Sequence, residues 1–268
     1  MNHMQSILVI GDIHGHYQQL LHLLWQHTLV NKQLTWTGGT TTLVFLGDFV
    51  DRGPDGIAVL DLVMRLQSEA ALAGGQVAAL LGNHDLLLLA VRRFGMYRTV
   101  GMSADFRENW QRNGGCETDL AALTPRHLTW LMRLPALLQL DNRLFMHADS
   151  MFYTHYGRTI TQVNRSLQAL MQSNDTAAYV QLLNDFCDHG AFYHRDGARR
   201  AADVLRIFGG QQIIHGHMPI CYMLDQPPAT VTCPLYYNKN VCVNMDGGIG
   251  LDAPGFIGCL PAIRARPE

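Results

Sequence analysis

Long apolar runs are missing from this chain. The longest, "LLLLAV" at residues 86–91, is far short of the roughly 20 residues a membrane helix needs. The first residues, "MNHMQSILVIGDIHG", hold no cationic region, and their apolar segment stops at Gly11. The expectation is no secretory leader. None of the six cysteines lies in a C-x-x-C pair, which speaks against a zinc–thiolate site. They are expected to be reduced, mostly buried thiols of a cytoplasmic protein. Lysine is scarce (only Lys32 and Lys239) and net charge is −2. There is no basic field, so nucleic acid is not expected as a partner, nor is a membrane.

What is present is apolar content for a core: 48% hydrophobic against 16% charged over 268 residues. That suits one large globular domain, or two at most. The first half alternates in period. Short β-rich runs, "SILVI", "TTLVFL" and "QVAALL", each lead through a Gly-bearing loop into a helical pattern. The first helix is expected over "YQQLLHLLWQHTL", the second from Pro54 in its first turn, the third over "DLLLLAVRRF". Strand, loop and helix repeated in this way argue for an α/β fold with a mainly parallel sheet. The middle is helical, with "SADFRENWQRNG" stopping at a Gly pair and Thr124 capping "PRHLTWLMRL". "RLFMHAD" reads as a strand, and so do "QQIIHG", "VCVNMDGG" and "FIGCL", with a Pro-rich loop "DQPPATVTCP" between. One domain over 1–268 is expected, with helical insertions near 95–130 and 155–210.

Chemistry gathers at the C-terminal ends of these strands. "GDIHG" carries Asp12 and His14, "GDFVDRG" carries Asp48, Asp51 and Arg52, and "GNHD" carries Asn83, His84 and Asp85. "HAD" adds His147, and "HGHMP" adds His215 and His217. Ligands of open α/β sheets collect beyond such strand ends. Carboxylate, imidazole and amide oxygen without thiolate suit manganese, iron or zinc rather than calcium. Two such ions about 3.5–4 Å apart can share one carboxylate and activate a water. Asp48, directly after a central strand, fits that bridge. An imidazole paired with a carboxylate suits acid–base work, and the planar fork of an arginine suits phosphoryl oxygens.

In this order and spacing, "GDIHG", "GDFVDRG", "GNHD", a later single His and a later "GH" resemble the calcineurin-like metallophosphoesterases. More narrowly they are similar to the phosphoprotein phosphatase family, which includes bacterial Ser/Thr phosphatases and symmetrical diadenosine tetraphosphatases. The closing "NMDGGIG" resembles that family's last strand and turn. The resemblance implies a four-layer sandwich of two mixed β-sheets flanked by helices. It implies two divalent metal ions, manganese first, and hydrolysis of phosphoesters by a metal-bridging hydroxide. Asp12 and His14 would bind the first ion, Asp48 both, and Asn83, His147 and His217 the second. His84 would be the general acid, held by Asp51, and Arg52 would grip the phosphoryl group. Arg195, in "FYHRDGARR", would be the second gripping arginine. The implied substrate is a phosphoprotein of Ser/Thr type or a broad range of phosphomonoesters, with dinucleoside polyphosphates as the alternative. A non-catalytic interaction module would require missing ligands, and none of the six is missing.

Two features depart from the family pattern or divide it. Asp149 stands where the family commonly has Gly. Asp85 is usual among the tetraphosphatases, whereas Asp51 is usual among the protein phosphatases. Asp55 reads as a plain turn residue. His16, His22, His27, His155, His189 and His194 read as packing or surface residues. His215 lies evenly between packing and support of the site.

Overall fold

Side-chain alternation in very short strands decides the architecture. In β1 (Ile7–Ile10), Ile7 and Val9 enter one buried cluster and Ile10 another. In β2 (Thr42–Phe45), Val44 joins the first cluster, and Leu43 and Phe45 the second. The same split occurs in β5 (Arg143–Met146), where Phe145 opposes Leu144 and Met146. It recurs in β6 (Gln212–His215) between Ile214 and Ile213, and in β8 (Cys242–Asn244) between Val243 and Cys242. Strand residues alternate between faces. Each strand therefore buries one face against the opposite sheet and the other beneath helices.

The computed structural model describes residues 6–100 and 102–263. It holds two mixed sheets. With β3 (Gln76–Ala79) and β9 (Gly258–Leu260), the first has order β3-β2-β1-β9. Its first three strands are parallel, in register Ile7 to Thr42 and Thr42 to Gln76, and β9 is antiparallel to β1. With β4 (Leu137–Leu140) and β7 (Leu235–Tyr237), the second has order β4-β5-β6-β8-β7. There β5, β6 and β8 are parallel and the two edge strands antiparallel.

Helices α1 (Tyr17–Gln26), α2 (Gly56–Leu72) and α3 (Asn83–Phe94) follow the first three strands. The insertion that follows folds as α4 (Phe106–Arg112), α5 (Glu117–Ala122) and α6 (Pro125–Leu131). Between β5 and β6 come α7 (Ile160–Gln172), α8 (Thr176–Phe186) and α9 (Gly197–Phe208). Val163, Leu167 and Met171 form the buried stripe of α7, at the four-residue spacing of one helical face. A short α10 (Ile220–Leu224) follows β6. The fold is a mixed α/β sandwich of two sheets with helices outside.

Several sequence expectations change. The residue pattern suggested one mainly parallel sheet, but the later strands build a second, mixed one. The edge strand β7 and the helix α5 carry no readable period at 3 and 6 residues. Pro54 lies outside α2, just before its N-cap Asp55. The third helix begins at Asn83, so "GNHD" forms its cap and first turn. Of the cysteines only Cys221 and Cys242 are buried, while Cys187, Cys233 and Cys259 are exposed. Small thiols at loop and edge positions have no core to enter.

Candidate metal centre

The parallel strands deliver their C-terminal loops to one place, and backbone hydrogen bonds lock the loops together. The Asp48 carbonyl accepts from the N–H of Ile13 (3.0 Å) and of His14 (2.8 Å), and the His14 carbonyl accepts from Gly53 N–H (2.8 Å). The bends are sharp. His14, Asp48, Asp51, Arg52 and His217 all have φ between 49° and 69°. Non-glycine residues avoid this left-handed region, and strain of about 1–3 kcal/mol each persists only where surroundings fix it. Gly82 matters for another reason: a Cβ there would overlap the Asp48 carboxylate.

Asp85, one turn into α3, does the fixing. Its carboxylate accepts from the N–H groups of Asp48, Phe49 and Gly82, each at 2.9 Å. It thus caps α3 and holds the "GDFVDRG" loop. Burial, and then the Asp48 charge, raise its pKa to about 7 against those three donors. In return Asp48 Oδ1 accepts from His84 N–H at 2.8 Å.

Around Asp48 the donor atoms fall into two groups. His14 Nδ1–H donates to the Val50 carbonyl (3.2 Å), leaving a lone pair on Nε2. That nitrogen lies 3.6 Å from Asp48 Oδ2 and 3.9 Å from Asp12 Oδ2. Both carboxylate oxygens are buried without a hydrogen-bond partner among the described residues. Such spacing is too long for hydrogen bonds. It suits donors sharing one ion at about 2.0–2.2 Å each.

The second group is Asn83, His147 and His217. His147 Nδ1–H donates to the Leu46 carbonyl (2.9 Å), so Nε2 again carries a lone pair. That lone pair meets Asn83 Oδ1, itself an acceptor, at 2.9 Å, and His217 Nδ1 at 3.2 Å. His217 Nδ1 lies 2.9 Å from the same amide oxygen. Three acceptor atoms thus converge with at most one proton to share, an arrangement a cation satisfies. His147 Nε2 also stands 3.6 Å from Asp48 Oδ1, so Asp48 faces both groups. Among the described residues, His14, Asp48 and His84 form one cluster with ligand atoms within 4.8 Å, and Asp48, His147 and His217 another.

Electrostatics favours metal-ready protonation states. Burial, followed by neighbouring imidazole charge, lowers the pKa of His14, and it lowers that of His217 to about 3. Burial also lowers that of His147. All three imidazoles stay neutral and can donate a lone pair. Burial pushes Asp48 up, but the imidazoles of His147 and His84 hold it well below the usual carboxylate range. Asp12 is raised by burial and then by the nearby Asp246 and Asp48 carboxylates. Asp246, buried after β8, is itself raised to about 7, first by burial. Carboxylates packed this closely, with only Arg52 as a nearby permanent positive charge on Asp12 and Asp246, are what a divalent cation would compensate.

His84 differs from the other histidines. Its Nδ1–H donates to Asp51 Oδ2 at 2.9 Å, and its pKa is raised: burial opposes the shift, but the Asp48 charge and the Asp51 hydrogen bond outweigh it. Asp51 is fully buried and takes a second donor, Trp110 Nε1–H, at 2.7 Å. Arg52 is exposed, with Nη2 3.3 Å from His84 Nε2.

The structure brings together Asp12, His14, Asp48, Asp51, Arg52, Asn83, His84, His147 and His217. Arg195 is exposed in the turn before α9 and forms no hydrogen bond or ion pair with this cluster among the described residues. His215 is buried, its Nε2 2.8 Å from the Tyr237 hydroxyl. Trp110, the clamp formed by Asp85 and the charge of Asp246 were not assigned from sequence. Asp246 did carry a signal, an Asp just after a strand, as in "GDIHG" and "GDFVDRG".

A family model described as calcineurin-like phosphoesterase matches residues 5–221. A symmetrical bis(5'-nucleosyl)-tetraphosphatase of Janthinobacterium is 32% identical over 178 residues, 64% of this chain and 53% of the relative. Shewanella-like protein phosphatase 2 of Arabidopsis thaliana is 32% identical over 83 residues, 31% of this chain and 21% of the relative. The chain therefore spans about half or less of the length of these two curated relatives. Among solved structures, a cold-active protein-tyrosine phosphatase of a psychrophilic Shewanella superposes with a TM-score of 0.72 at 22% identity, covering 95% of this chain and 74% of that one. That likeness shows the fold.

Proposed function

Because this chain belongs to the calcineurin-like phosphoesterase family, we propose that it hydrolyses phosphoesters with two divalent metal ions. The observation that carries the reading is the buried Asp51–His84 pair beside two orphaned carboxylate oxygens. Asp12, His14 and Asp48 would hold one ion, and Asp48, Asn83, His147 and His217 the other. Mixed oxygen and nitrogen donors favour manganese, with iron and zinc as competitors. When bound, the ions supply Lewis-acid charge for phosphoryl oxygens and acidify a water for attack on phosphorus.

The chain's own residues supply the rest. Arg52 is exposed and beside His84, so an entering phosphoryl group meets a planar two-pronged donor. Drawing the guanidinium onto phosphate leaves His84 Nε2 available to carry a proton. Asp51 keeps the imidazole oriented through Nδ1 and stabilises its charged form. His84 then donates from Nε2 to the departing oxygen.

The substrate class in this reading is a Ser/Thr-type phosphoprotein or a broad range of phosphomonoesters. A second reading, hydrolysis of dinucleoside polyphosphates, draws on the 32% identity to the tetraphosphatase over 64% of the chain. We place the protein in the cytoplasm, a reading supported by six cysteines that form no disulfide. No helix among the described residues is long and apolar enough to cross a membrane.

The test is turnover of p-nitrophenyl phosphate, a phosphoserine peptide and diadenosine tetraphosphate by manganese-loaded protein, side by side. His84→Asn should lower kcat by about 10²–10⁴-fold with metal content retained. Asp48→Asn should lose both metal and activity. Unchanged turnover in both variants would sink the proposal.

A further inference from the structure

Beside the ligand cluster opens a cavity of about 340 Å³, within the range of about 300–1,000 Å³ found for small-molecule sites. Asp149 builds one wall. Its Oδ1 accepts from Gly190 N–H at 2.8 Å, and its carbonyl accepts from Ala191 N–H at 2.9 Å. Both ends of Asp149 thus tie down the segment before α9. The tie seats the His189 ring 5.4 Å from that of His217. His189 Nδ1–H is spent on the Cys187 carbonyl (2.9 Å), which leaves Nε2 for another partner. The opposite wall begins with Met218, directly after His217, and continues into α10 with Tyr222 and Met223. The Tyr193 hydroxyl donates to the Met223 carbonyl at 2.8 Å and closes the far end.

The lining is unusual for a surface next to a polar centre. Tyr193 is 44% exposed and Tyr222 62%, so two aromatic rings stand in water where the cavity opens. Exposed aromatics in a concave site, with an imidazole between them and the charged centre, match the recognition of a flat ring attached to an anionic group. Among the lining residues, His189 and Met218 adjoin His217.

We infer that this cavity is the subsite for a planar aromatic group carried by the substrate. Tyr193 and Tyr222 are its stacking surfaces, and His189 is a polar contact between ring and phosphoryl group. The inference rests on the phosphoester reading but not on its Ser/Thr class: phosphoserine and phosphothreonine are alkyl phosphates, and the cavity favours esters or anhydrides bearing an aromatic ring over them. Asp149 is a positioning residue here, holding His189 and the cavity wall.

The experiment compares diadenosine tetraphosphate, phenyl phosphate and glycerol 2-phosphate as substrates of the manganese-loaded protein. Tyr222→Ala, at an exposed position, should lower the kcat/KM preference for a ring-bearing substrate over glycerol 2-phosphate about tenfold, mainly through KM. Tyr222→Phe should keep most of that preference. A loss confined to the dinucleotide identifies the ring as a nucleobase, one confined to phenyl phosphate identifies it as a phenol ring, and either upholds the subsite. An unchanged preference in both arms, or a Phe variant as poor as the Ala variant, overturns it. If the wild-type protein turns over none of the three, the phosphoester reading fails instead. Calorimetric titration with adenosine 5'-monophosphate and with phenyl phosphate then decides the cavity. Binding of either compound about tenfold weaker in Tyr222→Ala upholds it, and equal binding of both overturns it.

Discussion

Asp51 serves two buried donors at once, His84 Nδ1–H and Trp110 Nε1–H. The first orients the His84 imidazole, and the second stops the carboxylate from rotating. Trp110→Phe keeps an aromatic side chain, of smaller volume, but removes the indole N–H, leaving Asp51 Oδ1 unsatisfied at a cost of about 1–3 kcal/mol. Thermal unfolding should occur at lower temperature. The kcat for p-nitrophenyl phosphate should fall about tenfold, since about 1.4 kcal/mol corresponds to a factor of ten, with a smaller change in KM. At this scale the strand-end motifs were legible, because each packs its chemistry into a few consecutive residues. Trp110 was not, because its partner lies 59 residues away in the chain. Arg195 shows the reverse: a residue type suited to phosphate, which among the described residues makes no hydrogen bond or ion pair with the cluster.

Helix α2 is capped from a distance. Its N-cap Asp55 makes no side-chain cap hydrogen bond, and Asp119 Oδ1, from α5, accepts from Ile57 N–H at 3.2 Å instead. Gly56 leaves the space: a Cβ there would overlap Asp119 Oδ2. Burial, only partly offset by the Ile57 N–H, raises Asp119 from its ordinary 3.8 to about 6. The folded state thus holds a proton that the unfolded chain releases at lower pH. The stability tied to it is complete below 3.8 and is lost as pH rises through about 6. Asp119→Asn, which does not titrate, should gain about 1–2 kcal/mol over wild type between pH 4 and pH 7. Urea unfolding at both pH values checks the direction. Periodicity located α2, but its cap could not be read, because the donor and acceptor lie 62 residues apart.

Across the whole molecule, the candidate ligand groups come from both sheets. Asp12, His14, Asp48 and Asn83 follow strands of the first sheet, whereas His147 and His217 follow strands of the second. A cation shared by Asp48, Asn83, His147 and His217 would couple the sheets at the open end of the sandwich. It would also relieve the packing of Asp12, Asp48 and Asp246. Metal at about a thousand times its Kd adds roughly 4 kcal/mol to folding stability. For a chain of this size that corresponds to a Tm change on the order of 10 °C. Chelation should lower Tm by that amount and added manganese should restore it. A Tm indifferent to chelator would count against a bridging ion.

The sequence by itself determined the gathering of carboxylate, amide and imidazole groups at the strand ends and the parallel start of the fold, because both are encoded over a few neighbouring residues. The resemblance carried by "GDFVDRG" and its companion motifs implies separate tasks for Asp48, Asp51 and Arg52, and the structure places Asp48 beside His14, and Asp51 and Arg52 beside His84. Only the tertiary structure decided the order and direction of the later strands within the second sheet that the family resemblance implied, since three- and four-residue strands carry too little period to reveal their partners. Tertiary packing alone set Asp85 on the Asp48 loop, Trp110 on Asp51, and Asp149 beneath the wall of the aromatic cavity. Each of these depends on contact between residues far apart in the chain, which sequence spacing does not encode.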